Sequence, residues 1–269
     1  HPRIILPYLL YADVRTRISA GGVGKTTTSV NLAASLAATK RRVLLVDLDP
    51  QGNATTGSGI NKNDLEHSVL DVLLADIPAI DAILTGSGGY DVLPANGDLT
   101  AAEIELVDMP NKEQRLRQAL QTLRSRYDAV VIDCAPSLSM LTLNALVAAE
   151  AVIIPMQCEY YALEGLAALT QTIDRVRETA NPTLHIAGIL RTMYDPRNTL
   201  ATDVSAELFS HFGDVVLNTV IPRNVRLAEA PAHGVPALQY DKNSRGAMAY
   251  LALATELLRR EKLSKKKED

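Results

Sequence analysis

The sequence predicts an α/β fold, a doubly wound and mostly parallel sheet flanked by helices. Short apolar runs, typical of strands buried on both faces, alternate with longer segments whose apolar residues recur at helical spacing. The chain has 269 residues, of which 47% are hydrophobic, so it can bury a large core. Strands that alternate with helices imply right-handed crossovers and helices on both faces of the sheet.

The predicted elements follow one another from residue 25 to residue 260. We predict strands over residues 43–46, 91–94, 129–132, 151–154, 185–190 and 215–221. We predict helices over residues 25–40, 113–127, 139–149, 163–179, 204–212 and 246–260. No linker long enough to separate two domains interrupts this pattern. We therefore expect one domain over residues 21–260, an atypical segment over 1–20 and a basic tail over 261–269.

Composition and charge exclude several classes of protein. No apolar run reaches 18 residues, so we expect no membrane span. The first 20 residues include an apolar stretch but have no clear basic region before it and no small-residue cleavage site after it, so we do not expect a secretion signal. The net charge is −4, so any binding of nucleic acid must come from a local basic patch. The two cysteines, Cys134 and Cys158, suit a reducing cytosol, and we expect a cytoplasmic protein.

A glycine-rich loop ahead of the first predicted helix carries the strongest functional signal. Its residues are Gly21, Gly22, Val23, Gly24, Lys25, Thr26 and Thr27. Glycines let successive N–H groups point at phosphate oxygens, and the helix that follows adds its positive end. Lys25 can then reach the β- and γ-phosphates, and the Thr26 hydroxyl can ligate Mg²⁺. Ser19 stands where the usual motif begins with glycine, so a simple glycine-rich turn is the alternative.

Carboxylates follow two of the predicted strands. Asp47 and Asp49 end the strand over 43–46, and Asp133 ends the strand over 129–132. Ligands of open parallel sheets bind beyond the carboxyl ends of the strands, so both groups converge on the glycine-rich loop. Asp133 and Asp49 are candidate Mg²⁺ ligands, and Asp49 is the better candidate for orienting an attacking water. The alternative is that these aspartates only cap strands or helices.

Taken together, these residues resemble the ParA-type, Soj-like partitioning ATPases. This family belongs to the deviant-Walker group of P-loop NTPases, which also contains MinD and relatives of the nitrogenase iron protein. Beyond the glycine-rich loop, the resemblance is carried by residues 43–53, 131–137, 157–165 and 221–227, and it extends from residue 21 to about residue 258.

The resemblance implies a switch driven by ATP and Mg²⁺. The MgATP-bound homodimer of such proteins binds duplex DNA without sequence preference, and a ParB-type activator stimulates ATP hydrolysis, in chromosome or plasmid segregation. A nucleoid-associated location and no membrane partner follow from this resemblance. It also implies that Lys25 binds phosphate, that Thr26 and Asp133 serve Mg²⁺, and that Asp49 orients the water.

Five further residues acquire candidate roles from the resemblance. Pro222, Arg223 and Asn224 match the family's loop near the adenine, and Arg197 and Arg226 match positions on its DNA-binding face. Phosphate contact needs only Lys or Arg and involves no reading of bases. The alternative for these arginines is pairing with nearby acids, and Asp195 and Glu229 are close enough in sequence for this.

Two features depart from the family. The family has a lysine before the two glycines, which reaches the partner's nucleotide in the dimer, and Ala20 stands at that position here. Residues 3–5 resemble the family's start, but the apolar strand that should lead into the loop is missing. Residues 6–20 instead include three charged residues, Asp13, Arg15 and Arg17. We therefore expect this stretch to be either a replaced or a frame-shifted segment.

Two other functions stay open at this point. A MinD-like ATPase that cycles on membranes requires an amphipathic C-terminal helix, but only Leu263 is apolar after Leu258. A relative that binds nucleotide but is defective in hydrolysis would follow from Ala20, because a cation facing a triphosphate stabilises the transition state.

Overall fold

The computed structural model describes residues 3–6, 24–75, 77–135, 139–160 and 162–268. Within these ranges the strands are β1 (Arg3–Leu6), β2 (Val43–Leu48), β3 (Leu84–Thr85), β4 (Asp91–Leu93), β5 (Ala129–Cys134), β6 (Ala151–Gln157), β7 (His185–Tyr194) and β8 (Val216–Pro222). The helices are α1 (Lys25–Ala38), α2 (Asn53–Gly57), α3 (Val69–Leu74), α4 (Thr100–Glu105), α5 (Arg115–Gln121), α6 (Met140–Ala148), α7 (Ala162–Thr179), α8 (Thr199–Phe212), α9 (Val225–Glu229), α10 (Ala237–Tyr240) and α11 (Arg245–Glu268).

The strands form one sheet in the order β3-β4-β2-β5-β1-β6-β7-β8. Neighbouring strands are parallel, except that the short edge strand β3 is antiparallel to β4. The predicted fold, a mostly parallel sheet flanked by helices, is confirmed. The carboxyl ends of β2, β5, β6, β7 and β8 therefore share one edge of the sheet, where the predicted site residues follow the strands.

The first strand differs from the expectation drawn from the sequence. Arg3–Leu6 lies in the centre of the sheet, between β5 and β6, with Ile5 opposite both Val131 and Ala151. The prediction that this strand is missing is therefore wrong, because the four-residue segment Arg3–Leu6, of which three residues are apolar, fills the central position. Residues 7–23, which include Ala20, Gly21, Gly22 and Val23, lie outside the described residues.

Three predicted helices have different boundaries in the structure. The helix predicted over 113–127 is only α5, because tighter turn bonds such as Arg126 N–H to the Leu123 carbonyl replace helical ones after Gln121. α8 begins at Thr199 rather than at residue 204, since the Asn198 side chain accepts from the Ala201 amide and caps the helix there. α11 continues past residue 260 to Glu268.

Alternate residues of the central strands supply two separate hydrophobic layers. Leu44 and Val46 pack with α3 to α8 on one face, whereas Val43 and Leu45 pack with α1 and α11 on the other. This follows from the two-residue period of a strand, which sends successive side chains to opposite faces. Among the described residues, no helix combines the length and the apolar character that a membrane span requires.

Gly188 offers a test of how tightly the second layer packs. A methyl group at this position would lie 2.6 to 2.8 Å from three atoms of the buried Leu217 side chain. We expect Gly188→Ala to lower the free energy of unfolding by about 1–3 kcal/mol, because overpacking forces neighbouring side chains out of their rotamers. Urea unfolding measures the change. Gly97→Ala is the control, since a methyl group there meets nothing within 4 Å, and equal stability of the two variants would contradict this packing.

Candidate functional site

The start of α1 provides an anion site of backbone groups. Gly24 precedes the helix in the left-handed region, with φ of 82°, and the Thr28 N–H donates to its carbonyl at 2.8 Å. The N–H groups of the first turn, Lys25 to Thr27, have no acceptor within the helix, and the helix dipole adds positive potential there. This end of α1 therefore suits a phosphate group.

Asp133 ties the central sheet to the first turns of α1. Its two carboxylate oxygens accept from the Thr26 hydroxyl at 2.8 Å and from the Ser29 hydroxyl at 2.7 Å. Asp133 is completely buried, and a buried carboxylate needs such donors to offset its lost hydration. A threonine hydroxyl that donates its proton to Asp133 keeps its oxygen lone pairs available for a cation.

Asp47 has a different environment from the other two aspartates. It lies opposite Asp133 in the β2–β5 register and accepts from the Thr55 hydroxyl and the Thr55 N–H, both at 2.8 Å. It also accepts from the Asp49 N–H at 3.1 Å. The capping alternative therefore describes Asp47, which fixes the turn from β2 into α2.

Asp49 lies just beyond the end of β2 and is 8% exposed. One of its carboxylate oxygens accepts from the Gln51 N–H at 2.9 Å. Its charge also acts on Lys25, together with that of Asp133. The structure thus brings the lysine of the glycine-rich loop and the two candidate Mg²⁺ carboxylates into one electrostatic cluster.

Burial shifts the ionisation of this cluster. Burial lowers the pKa of Lys25, and the charges of Asp133 and Asp49 partly offset this change. Burial also raises the pKa of Asp133 and of Asp47, and the Asp133 charge adds to the rise at Asp47. A bound cation at this edge of the sheet would relieve the mutual repulsion of the carboxylates.

A cavity of about 230 Å³ opens beside Thr26 and Thr27. Asn53 and Thr56 of α2 line it on one side, and Pro231 lines it on the other. The surface that lines this cavity is mostly apolar, and its position next to the first turn of α1 places it beside the same site.

The loop predicted to lie near the adenine sits at the same edge of the sheet. Pro222 ends β8 opposite Tyr194 of β7. Gly24 lies close to Thr192 of β7, because a Cβ atom on this glycine would be 4.0 Å from the Cβ of Thr192. The chain after β8 and the start of α1 therefore both lie near the carboxyl end of β7. The Asn224 side chain accepts from the Arg226 N–H at 3.0 Å and caps α9. Arg223 is exposed.

The two candidate DNA-binding arginines are exposed, and both pair with acids. Arg197 contacts Asp195 at 2.8 Å, and its side chain is 88% exposed. Arg226 contacts Glu229 at 2.8 Å and Asp241 at 3.5 Å. Both pairings with near neighbours that the sequence left open are present. Exposed pairs of this kind contribute little to stability, so they can exchange for other partners.

Several residues that hold the site were not identified from the sequence. Thr28 shares a hydrogen bond of 3.0 Å with the buried Tyr250 of α11. Asn31 donates to the Thr27 carbonyl and accepts from the Ala237 N–H, both at 2.8 Å. The role of Ser29 could have been predicted from the sequence, because a hydroxyl one turn after Thr26 lies on the same face of the helix. The contacts of Thr28 with Tyr250 and of Asn31 with Ala237 span more than 200 residues of sequence and carry no local signal.

Known proteins are similar to this chain over most of its length. A family model described as an AAA domain matches residues 17–186. The sporulation initiation inhibitor protein Soj of Bacillus subtilis is 54% identical over 238 residues, 88% of this chain and 94% of that protein. The chromosome partitioning protein ParA of Caulobacter vibrioides is 51% identical over 245 residues, 90% of this chain and 92% of that protein.

A solved structure shows the same fold. Cobyrinic acid a,c-diamide synthase from Mycobacterium smegmatis, with bound ADP and magnesium, is 38% identical and has a TM-score of 0.81. The match covers 97% of this chain and 96% of that one. That protein therefore binds a nucleotide and magnesium on a closely similar fold.

The raised pKa of Asp47, about 7, predicts how stability depends on pH. An unfolded aspartate titrates near 3.9, so the native state holds a proton that the unfolded chain releases. The stabilisation is present at low pH and is lost as pH rises through the raised pKa. In nucleotide-free wild type, we expect the free energy of unfolding to fall as pH rises from about 5 to about 8. In Asp47→Asn we expect a shallower fall, with a slope that differs by at most about 1.4 kcal/mol per pH unit. Urea unfolding across this range measures it, and identical slopes would contradict the assignment.

Proposed function

Because the chain belongs to the ParA/Soj family of P-loop ATPases, we propose that it is an ATP-driven partitioning switch. Its MgATP-bound dimer binds duplex DNA without reading sequence, and a ParB-type protein stimulates hydrolysis and release. One observation supports this most strongly. Two groups of residues lie at the same edge of the sheet. One is the cluster of Lys25, Thr26, Asp49 and Asp133, and the other is the pair Arg197 and Arg226, which follow β7 and β8.

Nucleotide binding in this proposal uses the start of α1. Lys25 and the N–H groups that follow Gly24 hold the phosphates, with Gly21, Gly22 and Val23 completing the loop outside the described residues. Thr26 ligates Mg²⁺, which its donation to Asp133 supports because its lone pairs stay free. Both carboxylate oxygens of Asp133 already accept hydrogen bonds from hydroxyl groups. This favours contact between Asp133 and Mg²⁺ through a water molecule rather than directly. Mg²⁺ supplies neutralisation of the charge that develops on the phosphate oxygens.

Hydrolysis in this proposal needs little covalent chemistry from the protein. Asp49 orients the attacking water, and its place at the carboxyl end of β2, next to the charge of Lys25, supports that role. Placement and charge neutralisation supply most of the acceleration in phosphoryl transfer. Pro222, Arg223 and Asn224 form the edge of the site nearest the base.

DNA binding in this proposal uses Arg197 and Arg226. Arg197 lies on the loop after β7 and Arg226 on the short helix α9, and both exposed guanidinium groups can reach phosphate without a sequence-specific contact. Binding by phosphate contacts alone weakens steeply with salt, so the affinity is defined only at a stated salt concentration. Retention on DNA would place the protein on the nucleoid.

Retention on random-sequence duplex DNA, with and without MgATP at one salt concentration, tests the proposal. We expect the wild type to be retained only with MgATP, and Arg226→Glu to weaken retention by about tenfold or more, because a phosphate contact becomes a repulsion. Arg177→Glu is the matched control, since Arg177 also pairs with an acid three residues away, Asp174, but on α7. Retention that does not depend on MgATP would contradict the proposal, as would an equal loss of DNA retention in Arg226→Glu and Arg177→Glu.

Ala20 provides a second test, which concerns hydrolysis. We expect Ala20→Lys to raise DNA-stimulated ATP turnover by roughly a hundredfold, because a fixed cation at the triphosphate stabilises the charge of the transition state. Turnover is measured as phosphate release with and without DNA. Ala20→Gln is the control for side-chain length without charge. Equal turnover in the wild type and both variants would show that this position does not limit hydrolysis.

A further inference from the structure

The Arg226 side chain lies between carboxylates from two different elements. Its Nη1 is 2.8 Å from Glu229 Oε2, one turn along α9, and its Nε is 3.5 Å from Asp241 Oδ2, directly after α10. All three side chains are partly exposed, with 46%, 40% and 38% of their surface accessible to solvent, in the order Arg226, Glu229, Asp241. The arginine therefore faces solvent and carries two anionic neighbours there.

Other contacts hold the two carboxylates in place. Glu229 Oε2 also accepts from the Tyr240 hydroxyl at 3.3 Å, and the Tyr240 ring stacks on His233 with a centroid distance of 4.9 Å. The second oxygen of Asp241 accepts from the Asn243 N–H at 3.2 Å. These contacts would persist if Arg226 turned towards another anion, so the acids form a fixed pair and the arginine is the movable partner.

A phosphate that binds Arg226 meets this pair of acids directly. It either replaces a carboxylate on the guanidinium or binds the remaining N–H groups beside them, and in both cases it is repelled by the carboxylate charge that stays nearby. An exposed ion pair is weak enough to be exchanged in this way, but it still reduces the net gain from the phosphate contact. The effect is electrostatic and local, so it differs from a general effect of net charge.

We propose that Glu229 and Asp241 form a carboxylate latch, a pair of acids that competes with DNA phosphates for Arg226. The latch thereby lowers the affinity of the protein for DNA. This inference rests on the proposed function, since it requires that Arg226 contacts DNA. The latch suits a switch that must leave DNA, because it supplies an internal anion that recaptures the arginine when a phosphate departs.

Arg197 has a different arrangement. Its backbone N–H and its Nε both donate to the same oxygen of Asp195, each at 3.0 Å, so this acid also shapes the turn that carries the arginine. Removal of the Asp195 charge would disturb the turn as well as the ion pair. Glu229 and Asp241 are therefore the better positions at which to separate competition from folding.

The test is DNA affinity of Glu229→Gln and Asp241→Asn with MgATP at fixed salt. Each substitution keeps the size of the side chain and removes its charge. We expect each to tighten retention by about two- to fivefold, the range that corresponds to one exposed ion pair. Glu207→Gln is the charge control, because Glu207 is an exposed acid on α8 whose ion-pair partner is His211, and we expect it to leave retention unchanged.

The same substitution made in the Arg226→Ala variant shows whether the effect depends on Arg226. We expect Glu229→Gln to tighten binding in the wild type but to have no effect on top of Arg226→Ala. Tightening that persists without Arg226, or that Glu207→Gln reproduces, would overturn the latch. Wild-type binding that depends on MgATP and on Arg226 but is unchanged in both acid variants overturns the latch alone. Wild-type protein that never binds DNA overturns the proposed function together with it. Thermal unfolding of each variant confirms that it is folded.

Discussion

The buried carboxylate of Asp133 is the interaction on which the site depends. It lies near the end of β5, in the middle of the sheet, and accepts hydrogen bonds from the hydroxyl groups of Thr26 and Ser29, which lie on successive turns of α1. An unpaired carboxylate at that depth would be strongly unfavourable, so the two hydroxyls and the aspartate hold one another in place. This holds the N-terminal end of α1 against the carboxyl edge of the sheet.

The same helix also contacts the C-terminal part of the chain. Thr28 meets Tyr250 of α11, and the Asn31 side chain joins the Thr27 carbonyl to the first N–H of α10. α10 in turn leads to Asp241, which contacts Arg226. The first two turns of α1 thus touch the sheet on one side and the elements that hold the exposed arginine on the other.

The sequence predicted the buried strands well because their apolar runs are continuous, as in residues 129–132. It underestimated their length, since Asp47 and Asp133 continue the pairing while carrying charge. It also missed the central strand Arg3–Leu6, whose four residues are too short and too distant from the loop to be recognised. The partner of Arg226 three residues away was predictable from spacing, but Asp241 was not, because only the fold brings it close.

The most direct test of this account is the binding of ATP to the full chain, measured by calorimetry with and without Mg²⁺. We expect Mg²⁺ to tighten binding by about tenfold or more. We also expect Lys25→Ala to abolish detectable binding and Lys40→Ala, two residues beyond the far end of α1, to leave it unchanged. Binding that is indifferent to Mg²⁺ and equal in the wild type and Lys25→Ala would contradict a nucleotide site built from Lys25, Thr26 and Asp133.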